Sequence, residues 1–225
     1  VTLINSQIYN NVCEEGQAAG LSIGSGAENI TLINILISDN TDLEVENAGG
    51  MAVNTSGIVN IINSTITGNV GEQGVHIQGG ANLNVTNSII FGNNGSEIVF
   101  RPAGGGSPHS YATINYSNIE SGLDSIVTNG NGTVTWGSGN IDTDPAFVDT
   151  ANGDYHLSDL SPCIGAGTAS ITIDNVTYTA PSNDLDGNPR PNPAGTVPDM
   201  GAYESDKGVD PNYAGPVWYV DGPAG

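Results

Sequence analysis

Aliphatic residues return at fixed places in five segments of this chain that align without gaps. The segments run from Val1 to Asn11, Ile30 to Asn40, Val59 to Asn69, Leu83 to Asn93 and Ala112 to Gly122, so their starts lie 29, 29, 24 and 29 residues apart. The third position is always aliphatic (Leu3, Leu32, Ile61, Val85, Ile114), and the eighth is always isoleucine (Ile8, Ile37, Ile66, Ile90, Ile119). Self-similarity at such a period signals a stack of repeats, each burying its apolar face only against its neighbours. A further short strand follows in most repeats, usually behind a glycine: Gly20-Leu21-Ser22-Ile23, Gly50-Met51-Ala52-Val53, Gly74-Val75-His76-Ile77, and Ile98-Val99-Phe100. Three strands per coil predict an all-β, right-handed parallel β-helix with coils about 4.8 Å apart. The leucine-rich Leu-x-x-Leu-x-Leu frame is absent, and so long a period disfavours folds built from hairpins.

Two polar columns are nearly as regular. One holds Asn5, Asn34, Asn63 and Asn87, then Tyr116; the other holds Asn11, Asn40, Asn69 and Asn93, then Gly122. Asparagine tolerates left-handed backbone at a turn, and its amide can bond the turns above and below. The columns therefore mark two corners of each coil as amide ladders. Two stretches interrupt the regularity and read as solvated loops: Thr41 to Asn47, with Asp42, Glu44 and Glu46, and the Gly-Pro-rich run from Arg101 to Tyr111.

Composition narrows the function classes. Three Lys and Arg stand against 24 Asp and Glu, a formal net charge of −21. Phosphate neutralisation needs cations, so nucleic acid is excluded as a partner, and no run of roughly 18 apolar residues supports membrane insertion. Charged residues are only 12% of the chain, which with the periodic aliphatics favours a packed core over disorder. The acidic surface suits an extracellular or cell-surface protein, bacterial or archaeal, in salty, calcium-containing water. Cys13 and Cys163 are read as two free buried thiols, with a disulfide as the alternative. Eight Asn-x-Ser/Thr sequons, Asn63-Ser64-Thr65 among them, follow from the Asn-rich turns.

After Gly122 the repeat decays. Val134-Thr135-Trp136 and Asn140 to Val148 read as a last irregular coil, and Ile171 to Tyr178 as a hairpin turning at Asp174-Asn175. A module over 146–204 is expected to cap the open end of the coils at 1–145, because an uncovered edge would recruit other chains. The phrases Asp144-Pro-Ala-Phe-Val-Asp149 with Gly153-Asp-Tyr-His-Leu157, Ser161-Pro-Cys-Ile-Gly-Ala-Gly167, and Asp184-Leu-Asp-Gly-Asn-Pro-Arg190 followed by Asp199-Met-Gly-Ala-Tyr-Glu204 together resemble the C-terminal end of right-handed β-helix repeat proteins of the choice-of-anchor type. Those are secreted or surface-anchored bacterial proteins, related in architecture to polymorphic outer-membrane proteins and pectate-lyase-like folds. Gly165 departs from the Asp expected at its place. The tail from Val217 to Gly225 resembles the opening of another such domain, with 205–216 as linker. The alternative is a donor-type strand that caps the next subunit of a filament. Upstream coils are expected as well.

Candidate chemistry is sparse. Asp184, Asp186 and Asn188, with Asp199 or Glu204 folding back, could offer oxygens to Ca²⁺. The competing reading, and the favoured one, is an Asp-rich turn in which Arg190 pairs with Asp184, Asp186 or Asp199 to lock the cap. Asp142, Asp144 and Asp149 form a weaker oxygen cluster. Cleavage of a uronate polymer by elimination needs a base and a cation at the carboxylate; the sole lysine is Lys207 in the linker, and Arg101 and Arg190 lie in a loop and the cap. Hydrolysis needs two carboxylates facing one groove, whereas the third strands present Ser22, Ala52 and His76 outward. His76 is read as an exposed strand residue, and neither His109 nor His156 has a partner at metal-ligand spacing. The chain is thus expected to be a non-catalytic module: an adhesin, a carbohydrate-contacting module or a fibre-forming unit, with polysaccharide or neighbouring copies as partners. The alternatives are the end of a polysaccharide lyase or glycoside hydrolase with active coils upstream, and a filament subunit joined through its terminal strand.

Overall fold

The computed structural model describes residues 1–44, 47–102 and 108–208. Glu46, the linker beyond 208 and the tail from Val217 lie outside them. The chain is a parallel β-helix whose coils present three faces. Face one carries Thr2–Tyr9, Asn29–Ser38, Ile58–Ile62, Asn82–Thr86, Ser110–Asn115 and Gly132–Trp136. The first two of these strands run on around a corner into face two, which continues through Thr65–Thr67, Ile89–Phe91 and Asn118–Ile119. Face three carries Leu21–Ile23, Ala48–Asn54, Gln73–Gln78, Ser96–Phe100 and Ile126–Val127.

The repeat columns stack as rungs. Leu3 pairs with Leu32, Leu32 with Ile61, Ile61 with Val85, and Val85 with Ile114. Ile8, Ile37, Ile66, Ile90 and Ile119 are likewise successive partners, and face three adds Leu21, Met51, Val75 and Ile98. These columns meet in one core. The glycines that open the third strands are there for space: a Cβ on Gly20 would stand 2.3 Å from the carbonyl oxygen of Gly50, and one on Gly50 2.6 Å from that of Gly74.

The two corners use asparagine differently. Asn5, Asn34, Asn63, Asn87 and Tyr116 all adopt left-handed backbone, φ between 45° and 53°. At the other corner that conformation falls one residue earlier, on Asn10, Asp39, Gly68, Gly92 and Ser121, leaving the asparagines free to form a continuous amide ladder. Asn11 Nδ2 donates to Asn40 Oδ1 (2.8 Å), Asn40 to Asn69 (2.9 Å) and Asn69 to Asn93 (2.8 Å). Where Gly122 breaks the column, Glu97 supplies the next acceptor: Asn93 donates through Nδ2 to Oε2 (2.6 Å) and through its backbone N–H to Oε1 (3.1 Å).

The segment after 146 departs from the cap expected over the open end. It runs along the side of the coils instead, a brace over face two. Gly132–Trp136, the last strand of face one, pairs with Ser110–Asn115 and with no other strand among the described residues. The brace covers aliphatic side chains that face two carries on its outer side, set among Thr65, Thr67 and Asn118. Leu36 and Ile89 point away from the core yet are buried, Leu36 with Tyr155, Ala202 and Tyr203, and Ile89 with Cys163 and Met200. The predicted hairpin is present, Ser170–Ile173 antiparallel to Val176–Thr179, with φ of 49° and 64° at Asp174 and Asn175. It projects from the brace over face one. Both cysteines are free, Cys163 buried as expected but Cys13 only half-buried.

Candidate functional site

The acidic turn singled out in the sequence is the lock of the brace. Arg190 and Glu204 form a fully buried ion pair, Nε to Oε2 at 2.7 Å. Arg190 therefore pairs with Glu204 rather than with Asp184, Asp186 or Asp199. Its remaining donors reach Asn34 Oδ1 (2.9 Å) and the Gly201 carbonyl (3.0 Å), which ties the brace to the first amide corner. That corner is shared throughout: Asn34 Nδ2 donates to Asn5 Oδ1 and to the Asn183 carbonyl, Asn63 Nδ2 to the Asp199 carbonyl, and Asn87 Nδ2 to Asn63 Oδ1 and to the Thr168 carbonyl.

The carboxylates of the turn are committed to N–H donors. Asp184 accepts from the backbone and side chain of Asn188 and from the Glu204 N–H. Asp199 accepts from Gly165 and Ser205, and Glu204 also accepts from the N–H groups of Asn192 and Asp199. Gly165 stands at φ 62°, so glycine in place of the expected Asp keeps a left-handed turn that aims its N–H at Asp199. Burial, then the charge of Glu204, lifts the Asp199 carboxyl to about 7. Burial also raises Glu204 despite Arg190. Asp186 turns outward and meets His156 Nε2 at 2.9 Å, while Asp154 takes Nδ1 at 2.6 Å; the imidazole lies against Tyr203, centroids 3.9 Å apart. Among the described residues no group of three or more His, Cys, Asp or Glu could hold a metal ion. The donor set of Asp184, Asp186, Asn188, Asp199 and Glu204 is that of a hydrogen-bonded lock and does not fit Ca²⁺, which needs six to eight oxygens turned on one point. Asp142, Asp144 and Asp149 are exposed; Asp144 caps the Ala146 N–H and Asp149 holds Asn152.

Two other expectations change. Asp42, read as a solvated loop acid, is buried and accepts from the Glu44 N–H at 2.9 Å. His76 does stand in register with Ser22 and Ala52, but it is only 4% exposed.

A groove on face one has little trace in the sequence. The hairpin overhangs face one and encloses a groove of about 440 Å³ lined by Asn82, Asn84, Tyr111, Thr113, Thr135 and Tyr178, with Asp174 at the hairpin turn. Parallel register places its floor: Asn60, Asn84, Thr113 and Thr135 are successive partners on adjacent strands. Asn84 Nδ2 donates to Asn60 Oδ1 (2.9 Å) and to the Tyr178 hydroxyl (3.3 Å), which pins the hairpin to the coil. Tyr111 is 48% exposed and is held edge-on by His109, centroids 5.0 Å apart, while His109 Nε2 contacts Thr133 Oγ1 at 2.9 Å. Two phenols, a floor of amides and hydroxyls, and the aliphatic side chains of Ile58, Ile173 and Val176 in the same lining suit a ligand with apolar faces and hydroxyl edges. The signal in the sequence was faint: outward Asn and Thr on neighbouring rungs, and two tyrosines 67 positions apart. No family model, curated protein or solved structure matches the chain.

Proposed function

We propose that this chain is a non-catalytic extracellular or cell-surface β-helix module of the choice-of-anchor type, and that it contacts a neutral polysaccharide in the groove under the hairpin. The observation that carries the reading is one groove lined by both Tyr111 and Tyr178 together with Asn82, Asn84, Thr113 and Thr135. Sugar rings offer C–H faces to phenols and hydroxyls to amides, and the parallel strands repeat those partners every ~4.8 Å along the groove. Asp174 is the one carboxylate in the lining, whereas hydrolysis uses two. No Lys or Arg lines it either, and a net charge of −21 repels an acidic polymer, so a neutral glycan is favoured over a uronate.

The test is calorimetric titration of the protein with neutral hexose and pentose oligosaccharides of several units. Binding should weaken about tenfold or more in Tyr178→Ala and in Tyr111→Ala, with thermal stability little changed for the exposed Tyr111. Equal affinity in both variants, or no binding to any neutral glycan, would remove the proposal. Turnover of a glycan that is abolished by Asp174→Asn would replace it with a catalytic one.

A further inference from the structure

Face three carries a second site, distant from the groove in both residues and chemistry. The side chain of His76 is buried, and its Nδ1 is one of three buried side-chain polar atoms without a hydrogen-bond partner among the described residues. A buried polar atom left unpaired is costly, and this one belongs to a side chain that borders a cavity. His76 lines a cavity of about 150 Å³ whose walls are the Val99 and Pro102 side chains, with Arg101, Asn129 and Glu72 around it.

Arg101 makes the cavity unusual in this molecule. Of the three Lys and Arg, Arg190 is buried on Glu204 and Lys207 contacts Asp206. Arg101 alone makes no ion pair and no side-chain hydrogen bond among the described residues, in a chain with 24 acids. Its guanidinium is exposed and close enough to His76 to act on the ring electrostatically. Burial, then that charge, pushes the His76 imidazole down to about 4. At neutral pH the ring is therefore uncharged and can donate one N–H without competing for the counter-ion. Gln73 borders the cavity as well, and Asn129 Nδ2 is committed to the Phe100 carbonyl (2.8 Å).

We propose that the His76–Arg101 cavity is a carboxylate-binding subsite, in which the guanidinium supplies the charge and the neutral imidazole one hydrogen bond. A planar fork of N–H donors matches a carboxylate, and the cavity admits one such group rather than a polymer. The same chemistry is carried by a free small acid, by a uronate at the end of a glycan and by an acidic side chain of a protein. Glu72, exposed on the rim, opposes any anion, so its neutralisation should tighten binding.

The experiment follows the His76 ring proton by NMR across pH in acetate and, at equal ionic strength, in chloride. A bound carboxylate favours the imidazolium, so acetate kept at about 100 mM in its ionised form at every pH point, well above a millimolar Kd, should raise the His76 midpoint by about one pH unit relative to chloride. Arg101→Gln, an exposed substitution, should abolish the difference, and Glu72→Gln should produce it at lower acetate. D-glucuronate and an N-acetylated, amidated aspartate in place of acetate then tell the sources apart by which acts at the lowest concentration. Identical titrations in acetate and chloride would overturn the proposal. So would an acetate effect that survives in Arg101→Gln.

Discussion

Replacing Glu97 with glutamine alters the charge of the final rung of the amide ladder while keeping its shape. Glu97 is 1% exposed, and its carboxyl is raised from 4.5 to about 8, by burial first; hydrogen bonds from Asn93 work against the rise, and Glu120 adds to it. Because the folded value lies above the unfolded one, its contribution is fully present below about pH 4.5 and is lost as pH climbs toward 8. The unfolded chain releases the proton early, and the folded chain must hold it. Over that window the linkage removes about 3–4 kcal/mol of stability by pH 8. Glutamine carries no such linkage, but its amide nitrogen cannot accept, so one of the two bonds from Asn93 is lost at about 1 kcal/mol. Glu97→Gln should therefore destabilise by about 1 kcal/mol at pH 4 and stabilise by about 2–3 kcal/mol at pH 8. Urea unfolding of both proteins at the two pH values measures this. A difference of the same sign and size at both would show that Glu97 is ionised in the fold and that the reasoning fails.

Two further outcomes rest on the brace. Arg190→Met leaves Glu204 buried without its partner and should cost about 3–5 kcal/mol in chemical unfolding; a loss under about 1 kcal/mol would show that the pair does not hold the segment. His156 is pulled down by burial, but its bonds to Asp154 and Asp186 outweigh that and hold it above its ordinary value, so its contribution is present below about pH 6.5 and fades as pH rises through the folded value. His156→Ala should lower Tm more at pH 5.5 than at pH 8.5, and an equal or larger loss at pH 8.5 would contradict the clamp.

What the sequence disclosed and what it withheld have one physical cause. The isoleucine and asparagine columns are visible because each coil touches only the next, so stacking leaves a periodic trace. The brace leaves none, since Arg190 reaches Asn34 across 156 positions and Glu204 lies 14 beyond it. Sequence proximity does not single out one of the several carboxylates near Arg190, and the nearer ones are consumed by N–H groups. A trace of the lateral path did exist. Leu36-Ile37 and Ile89-Ile90 put aliphatics on both sides of a strand that needed only one for the core, and the outer ones are where the brace lies. Glu97 was unreadable as a ladder rung because it reaches the corner from the next strand, not from the aligned column. His76 looked exposed by alternation alone, which knows nothing of Arg101 and Pro102 beside it.

The groove under the hairpin can be mapped directly by recording NMR spectra of the isotopically labelled protein as a neutral oligosaccharide is added. The account predicts saturable shifts at Tyr111, Tyr178, Asn84 and Thr113 and none at His76 or His156. Shifts confined to other faces, or spectra unchanged at millimolar saccharide, would contradict it.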